Sequence, residues 1–168
     1  IEIPPLTAKS PFSIPIALKV DFDNNIWIAV VDRNMLLMYN QDSKKFEKFL
    51  RLPTEESGPS ALLIDDNGNI WFAEALSGKI GIVDSKTFEI TEFAPDTPLD
   101  EPFALLFDKF GSLWISEHTA PGIAKFDPIL ETFDRVKATN PEALPFGMAI
   151  DKYDNIWFGQ HVTDELGV

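Results

Sequence analysis

The sequence predicts an all-β chain built as a β-propeller of four-stranded antiparallel blades. Three observations carry that prediction. Tryptophan stands at 27, 71, 114 and 157, spaced 44, 43 and 43 residues apart. A proline precedes each by twelve residues (Pro15, Pro59, Pro102, Pro145), and an aspartate by six (Asp21, Asp65, Asp108, Asp151). Between these columns, each unit of about 43 residues holds short apolar runs separated by turn residues, the signature of blades.

Each unit opens with an apolar run after its proline: Ile16-Ala17-Leu18-Lys19-Val20, Ala61-Leu62-Leu63-Ile64, Ala104-Leu105-Leu106-Phe107 and Gly147-Met148-Ala149-Ile150. These runs are too short for helices, end at the column aspartate, and read as buried strands. Polar turns such as Asp66-Asn67-Gly68-Asn69 follow, supplying residues that tolerate positive φ. The second strand carries the tryptophan. Third strands are expected at Met35–Tyr39, Lys79–Val83 and Gly122–Phe126. More polar fourth strands are expected at Phe46–Phe49, Phe88–Phe93 and Phe133–Val136. Inner strands packed on both faces should be continuously apolar and the outermost mixed, as these are.

The period divides the chain, a single propeller region over 1–168, into an outer strand and linker (1–10), blades at 11–57, 58–100 and 101–143, and an incomplete blade at 144–168. Two arrangements fit: a piece of a six- or seven-bladed ring, which is preferred, or a small ring closed by Ile1-Glu2-Ile3 completing the last blade. Closure removes exposed strand edges. The remaining blades would come from the same longer chain or from a second copy.

Composition narrows the function. The formal charge of −13 argues against nucleic acid and anionic membrane surfaces. The absence of cysteine excludes disulfides, thiolate metal sites and cysteine nucleophiles. No segment is apolar for the roughly 18–20 residues of a membrane span. P-loop, dinucleotide-binding and serine-hydrolase motifs are absent. Asp65-Asp66-Asn67-Gly68-Asn69 lacks the glutamate that ends an EF-hand calcium loop. The tryptophans read as inter-blade core and the column aspartates as braces for the turns.

The channel mouth is the candidate site. Inner strands start there, after the column proline, and second strands end there, three or four residues past the tryptophan. One past the proline are Ile16, Ser60, Phe103 and Phe146; three past the tryptophan are Val30, Glu74, Glu117 and Gln160; four past it are Val31, Ala75, His118 and His161. Both histidines of the chain thus fall in one column of adjacent blades. Carboxylates beside imidazoles can hold a divalent cation or transfer protons. His118 and Glu117 are the catalytic candidates, and Glu74 and Glu117 the candidate ligands for Mg²⁺ or Ca²⁺. Ser60, Glu74, Phe103, Phe146, Gln160 and His161 are expected to line a face for a small-molecule or protein ligand.

The repeat "GPSALLIDDNGNIWFAEALSGKIGIVDSKTFEITEF", with "EPFALLFDKFGSLWISEHTAPGIAKFDP" and "LPFGMAIDKYDNIWF", resembles that of virginiamycin B lyase (streptogramin lyase)-like propellers. NHL-type and SMP-30-type propellers and the sensor propellers of hybrid histidine kinases are more distantly similar. The resemblance implies a seven-bladed fold and an enzyme that linearises a cyclic depsipeptide by elimination at an ester, with a histidine base and glutamate-held Mg²⁺. It makes His118 the base candidate and Glu74 or Glu117 the metal candidates. The sequence departs from that pattern at Val30 and Gln160, where glutamate is replaced, and at Pro145-Phe146-Gly147, where Pro-His-Gly is usual. Mouth residues such as Val30, Val31, Ala75, Phe103 and Phe146 favour a binding module over a metal-dependent lyase or lactonase. A sensor propeller of a larger signalling protein is a further reading. The acidic, cysteine-free composition and the resemblance point to an extracellular or cell-surface setting.

Overall fold

A computed structural model describes residues 1–4 and 13–168. The first blade comprises β1 (Pro15–Val20), β2 (Ile26–Val30), β3 (Met35–Asn40) and β4 (Lys45–Arg51). The second comprises β5 (Pro59–Ile64), β6 (Ile70–Glu74), β7 (Lys79–Val83) and β8 (Ile90–Phe93). The third comprises β9 (Pro102–Phe107), β10 (Leu113–Glu117), β11 (Gly122–Asp127) and β12 (Thr132–Lys137). The fourth holds β13 (Pro145–Ile150), β14 (Ile156–Gln160) and the short β15 (Leu166–Gly167). In every sheet the strands lie in chain order and pair antiparallel. The inner strands β1, β5, β9 and β13 are successive neighbours.

The blades are held together face to face. Trp27, Ala29 and Leu36 of the first pack against Leu62, Ile70, Phe72 and Val83 of the second. Trp71 and Ile80 of the second pack against Leu113, Ile115, Ala124 and Phe126 of the third. Trp27 and Trp71 are therefore each covered by the following blade. Trp27 and Trp71 are 1% and 4% exposed, Trp114 is half-buried, and Trp157 is 39% exposed. Burying an aromatic of this size contributes roughly 2–3 kcal/mol. At the opposite end, Leu18 is 60% exposed on the outer side of the first blade.

The turn after each inner strand repeats almost atom for atom. Each column aspartate accepts the tryptophan Nε1–H six residues on, at 2.9–3.1 Å. It also accepts backbone N–H groups two and four residues on. The chain reverses through a positive φ three residues past the aspartate, at Asn24, Gly68, Gly111 and Asp154. These bonds hold the Asp151 carboxyl well below the ordinary range, with the Trp157 and Asn155 side chains the leading causes. For Asp108, partial burial opposes the same lowering, but the bonds from Trp114, Ser112 and Phe110 outweigh it.

Two expectations need correction. Residues 1–4 form no strand; a strand needs a paired neighbour, and the described residues supply none. Ile3 instead packs against Ile28, Val30, Met35 and Leu37 of the first blade, and the fourth blade stays three-stranded, so Ile1-Glu2-Ile3 does not complete it. The rest of the expected 5–10 linker lies outside the described residues. The fourth strand of the second blade starts at Ile90, because Phe88 takes a positive φ of 62° in the turn. Its ring packs there with Trp27 under the Lys48 ammonium.

Three residues past the tryptophan, the first three blades fill the same buried position differently. The first blade places apolar Val30 there. The third pairs buried Glu117 with Arg135 of β12, whose Nε lies 3.1 and 3.0 Å from the two carboxylate oxygens, while Asp100 N–H donates to the same carboxylate. The second has glutamates at both positions, Glu74 and Glu92. Glu92 is held by Thr54 and Lys79; Glu74 is fully buried, accepts only the Ser77 hydroxyl at 2.6 Å, and leaves Oε1 without a partner. Burial, and less strongly the charge of Glu92, pushes the Glu74 carboxyl up to about 7.

Two predictions follow from these contacts. Asp65→Ala strips the acceptor from four hydrogen bonds, including that of Trp71. It should lower unfolding free energy by about 2 kcal/mol in urea titration, whereas Asp23→Ala on an exposed turn should change it by less than ~0.5 kcal/mol. Equal effects would remove the brace from the account. Glu74 binds its proton more tightly folded than unfolded, so its contribution is full below the ordinary value of 4.5 and fades as pH rises through about 7. Glu74→Gln should therefore flatten the decline of the urea midpoint from about pH 5 to about pH 8; an unchanged slope would show that Glu74 is not its source.

Candidate functional site

Position four past the tryptophan leaves the second strand and enters the loop at the channel end. Its backbone N–H is tied to the carbonyl just before the column proline: Val31 to Ile14, Ala75 to Gly58, His118 to Glu101 and His161 to Leu144, at 2.9–3.1 Å. This repeated bond clamps the entering linker beside the exit of the second strand. It sets whatever side chains occupy those two columns next to each other.

In the third and fourth blades these columns, with the residue after the proline, converge into one cluster. Phe103 and Phe146 stack with ring centroids 4.2 Å apart. His118 meets Phe146 edge-on at 5.0 Å, and His161 stacks on Phe146 at 5.7 Å. His118 Nε2 lies 3.3 Å from His161 Nδ1, and His118 Nδ1 lies 3.4 Å from Glu101 Oε2. A carboxylate only accepts, so the neutral His118 carries its proton on Nδ1 and His161 donates from Nδ1 to His118 Nε2. The cluster is open to solvent: Phe146 is 40% exposed, as is 46% of the Glu101 side chain.

The other expected site residues stand apart from it. Ser60 is buried, with its hydroxyl donating to the Pro102 carbonyl at 2.7 Å, a stitch between the inner strands β5 and β9, while Ser116 of β10 donates to the Phe146 carbonyl of β13. Glu74 and Glu117 point into their blades rather than into the channel, because adjacent strand residues alternate in direction. Glu117 is saturated by Arg135 and Asp100, so the pairing of Glu117 with His118 is one of sequence and not of space. Gln160 accepts the Thr163 hydroxyl and borders a groove of about 900 Å³ between the third and fourth blades. Among the described residues no three His, Asp or Glu side chains gather as a cage for a cation.

Sequence reasoning missed Glu101. Its signal was available by counting one residue back from each column proline, which gives Ile14, Gly58, Glu101 and Leu144, a column with a single charge. Its φ of 48° also occupies the left-handed turn that Gly58 takes in the second blade. Arg135 was missed as well, since eighteen residues and an intervening strand separate it from Glu117.

Solved structures share this architecture. Selenomethionine-substituted virginiamycin B lyase from Staphylococcus aureus matches with a TM-score of 0.83 and 23% identity, over 91% of this chain and 51% of that one. A catalytically inactive variant of virginiamycin B lyase from the same organism, with quinupristin, matches at 0.81 and 20% identity, over 92% and 55%. The extracellular domain of a hybrid two-component system from Bacteroides thetaiotaomicron matches at 0.69 and 16% identity, over 90% and 21%. The chain thus spans about half the length of the lyase structures it matches. No curated protein sequence matches it. Among the described residues, no helix is long and apolar enough to cross a membrane. The blade order, the tryptophan column and a match to the family model over residues 3–167 converge, and the chain belongs to the virginiamycin B lyase family.

Proposed function

We propose that this chain is part of a ligand-binding β-propeller whose site is the mouth formed by Phe103, Phe146, His118, His161 and Glu101. The observation that carries the reading is the convergence, across two blades, of stacked aromatic rings and hydrogen-bonding side chains at a solvent-open position. Rigid rings with a few polar groups are what a small-molecule or peptide site requires. Further blades, from the same longer chain or a second copy, would cover Trp157 and complete the channel. An extracellular or cell-surface setting is compatible with the likeness to extracellular propeller domains of Bacteroides sensor proteins. A fragment library screened by aromatic-resonance NMR on metal-free protein should give hits that perturb Phe146, His118 and His161 together, and Phe146→Ala should abolish them. Hits confined to other surfaces would sink the proposal.

A second reading, a Mg²⁺-dependent lyase or lactonase opening a cyclic ester, is favoured by family membership and by the Glu101–His118 contact. Glu101 holds His118 in the tautomer that leaves Nε2 able to accept a proton. Such an enzyme would convert quinupristin, supplied with Mg²⁺, to a linear product visible by mass spectrometry. Conversion should fall at least about 100-fold in His118→Ala, as loss of a general base demands. Absence of product, or undiminished product in that variant, would leave binding alone.

A further inference from the structure

We propose that His118 and His161 form a two-imidazole chelate for a first-row transition-metal ion of the zinc class, using Nε2 of His118 and Nδ1 of His161. The spacing is the first argument. Imidazole nitrogens bind tetrahedral zinc at about 2.0–2.1 Å, so two on one ion stand about 3.3–3.4 Å apart. The observed separation is 3.3 Å. The second argument is the partner of the opposite nitrogen. A metal-bound histidine characteristically donates its other ring N–H to a carboxylate, which fixes the tautomer and strengthens the ligand. Glu101 Oε2 occupies that place on His118 Nδ1, 3.4 Å away.

Preorganisation is the third argument. Phe146 packs against both imidazoles, edge-on to His118 and in a stack with His161, and Phe103 backs Phe146. The two backbones are pinned by equivalent hydrogen bonds to Glu101 and Leu144. The rings are thus held in register by neighbouring blades before any ion arrives, which is what a first shell needs. Binding requires that His161 move its proton from Nδ1 to Nε2 and that the two rings turn from their hydrogen bond so that both lone pairs meet at one ion.

The donor set selects the metal. Paired imidazoles suit zinc, nickel, cobalt and copper, whereas magnesium takes oxygen ligands and retains its waters. The chain supplies two nitrogens and no third His, Asp or Glu among the described residues. The remaining coordination positions therefore face the mouth and are open to water or to a ligand bound there. This assignment differs from the glutamate-held Mg²⁺ expected from the sequence, because Glu74 and Glu117 are turned into their blades.

The test is titration of the tag-free chain with Zn²⁺ by calorimetry, alongside ring-¹⁵N NMR. One ion per chain is expected, with shifts at His118 Nε2 and His161 Nδ1. His118→Ala and His161→Ala should each weaken binding at least tenfold, and Glu101→Gln roughly tenfold. Glu47→Gln, on β4 of the first blade, should leave it unchanged, and excess Mg²⁺ should not compete. No Zn²⁺ binding, binding indifferent to either histidine substitution, or shifts at other nitrogens would overturn the assignment. Circular dichroism of each variant checks that the fold is kept. Loss of this site with fragment hits retained on metal-free protein would refute the chelate and leave the proposed binding mouth intact.

Discussion

Everything in this molecule depends on blades burying one another's faces. A four-stranded sheet with Trp27, Leu36 and Ala29 on one side and Ile28, Val30 and Leu37 on the other has no solvent face to spare. It folds only as a member of a stack, as in repeat architectures generally. Trp27 and Trp71, each buried against the blade that follows, show that dependence in a single residue type. The aspartate brace serves the same end: it satisfies the indole N–H at the rim, so that the rest of the ring can be buried without an orphaned donor.

Stacking also explains why the mouth can vary while the scaffold does not. The bond between the residue four past the tryptophan and the one before the proline uses backbone atoms only. It tolerates Val31, Ala75, His118 and His161 on one side and Ile14, Gly58, Glu101 and Leu144 on the other. Chemistry at the mouth is thus decoupled from the hydrogen bonds that form it. The third and fourth blades use this freedom to bring two histidines, two phenylalanines and a glutamate together, while the first two place aliphatic and small residues at the same posts.

Most of the scaffold was legible because its determinants are local and periodic. Tryptophan, proline and aspartate recur at fixed spacing, and the apolar runs between them are strand-length. Boundaries failed where one residue took an uncommon conformation: Phe88 left the strand because a positive φ in the turn put its ring against Trp27. The placement of the candidate site's residues was legible by half. The histidine column and both phenylalanines followed from counting, since repeat symmetry converts equal positions into neighbours. Glu74 and Glu117 were misplaced because nearness to a strand end was allowed to override side-chain alternation, which sends position three past the tryptophan into the blade and leaves only position four for the mouth. Glu101 and Arg135 make contacts across 17 and 18 residues, through a linker and an outer strand that carry little periodic signal.

The glutamate column illustrates how a repeat varies its packing on a fixed scaffold. Buried Glu117 with the partly exposed Arg135 is a satisfied ion pair that anchors the linker ending at Glu101, and so fixes the residue that orients His118. Replacing a buried pair by apolar residues is commonly tolerated, and the first blade has done so with Val30. In the third blade the ion pair therefore holds more than stability: Arg135 also grips the Thr97 and Pro98 carbonyls, so its loss would release the very segment that carries the Glu101 carboxylate. In the second blade, where Glu74 faces Glu92 instead of an arginine, no imidazole stands at the mouth to be oriented. Ala75 occupies the histidine's post. The firm anchor and the Glu101-held His118 coincide in the third blade.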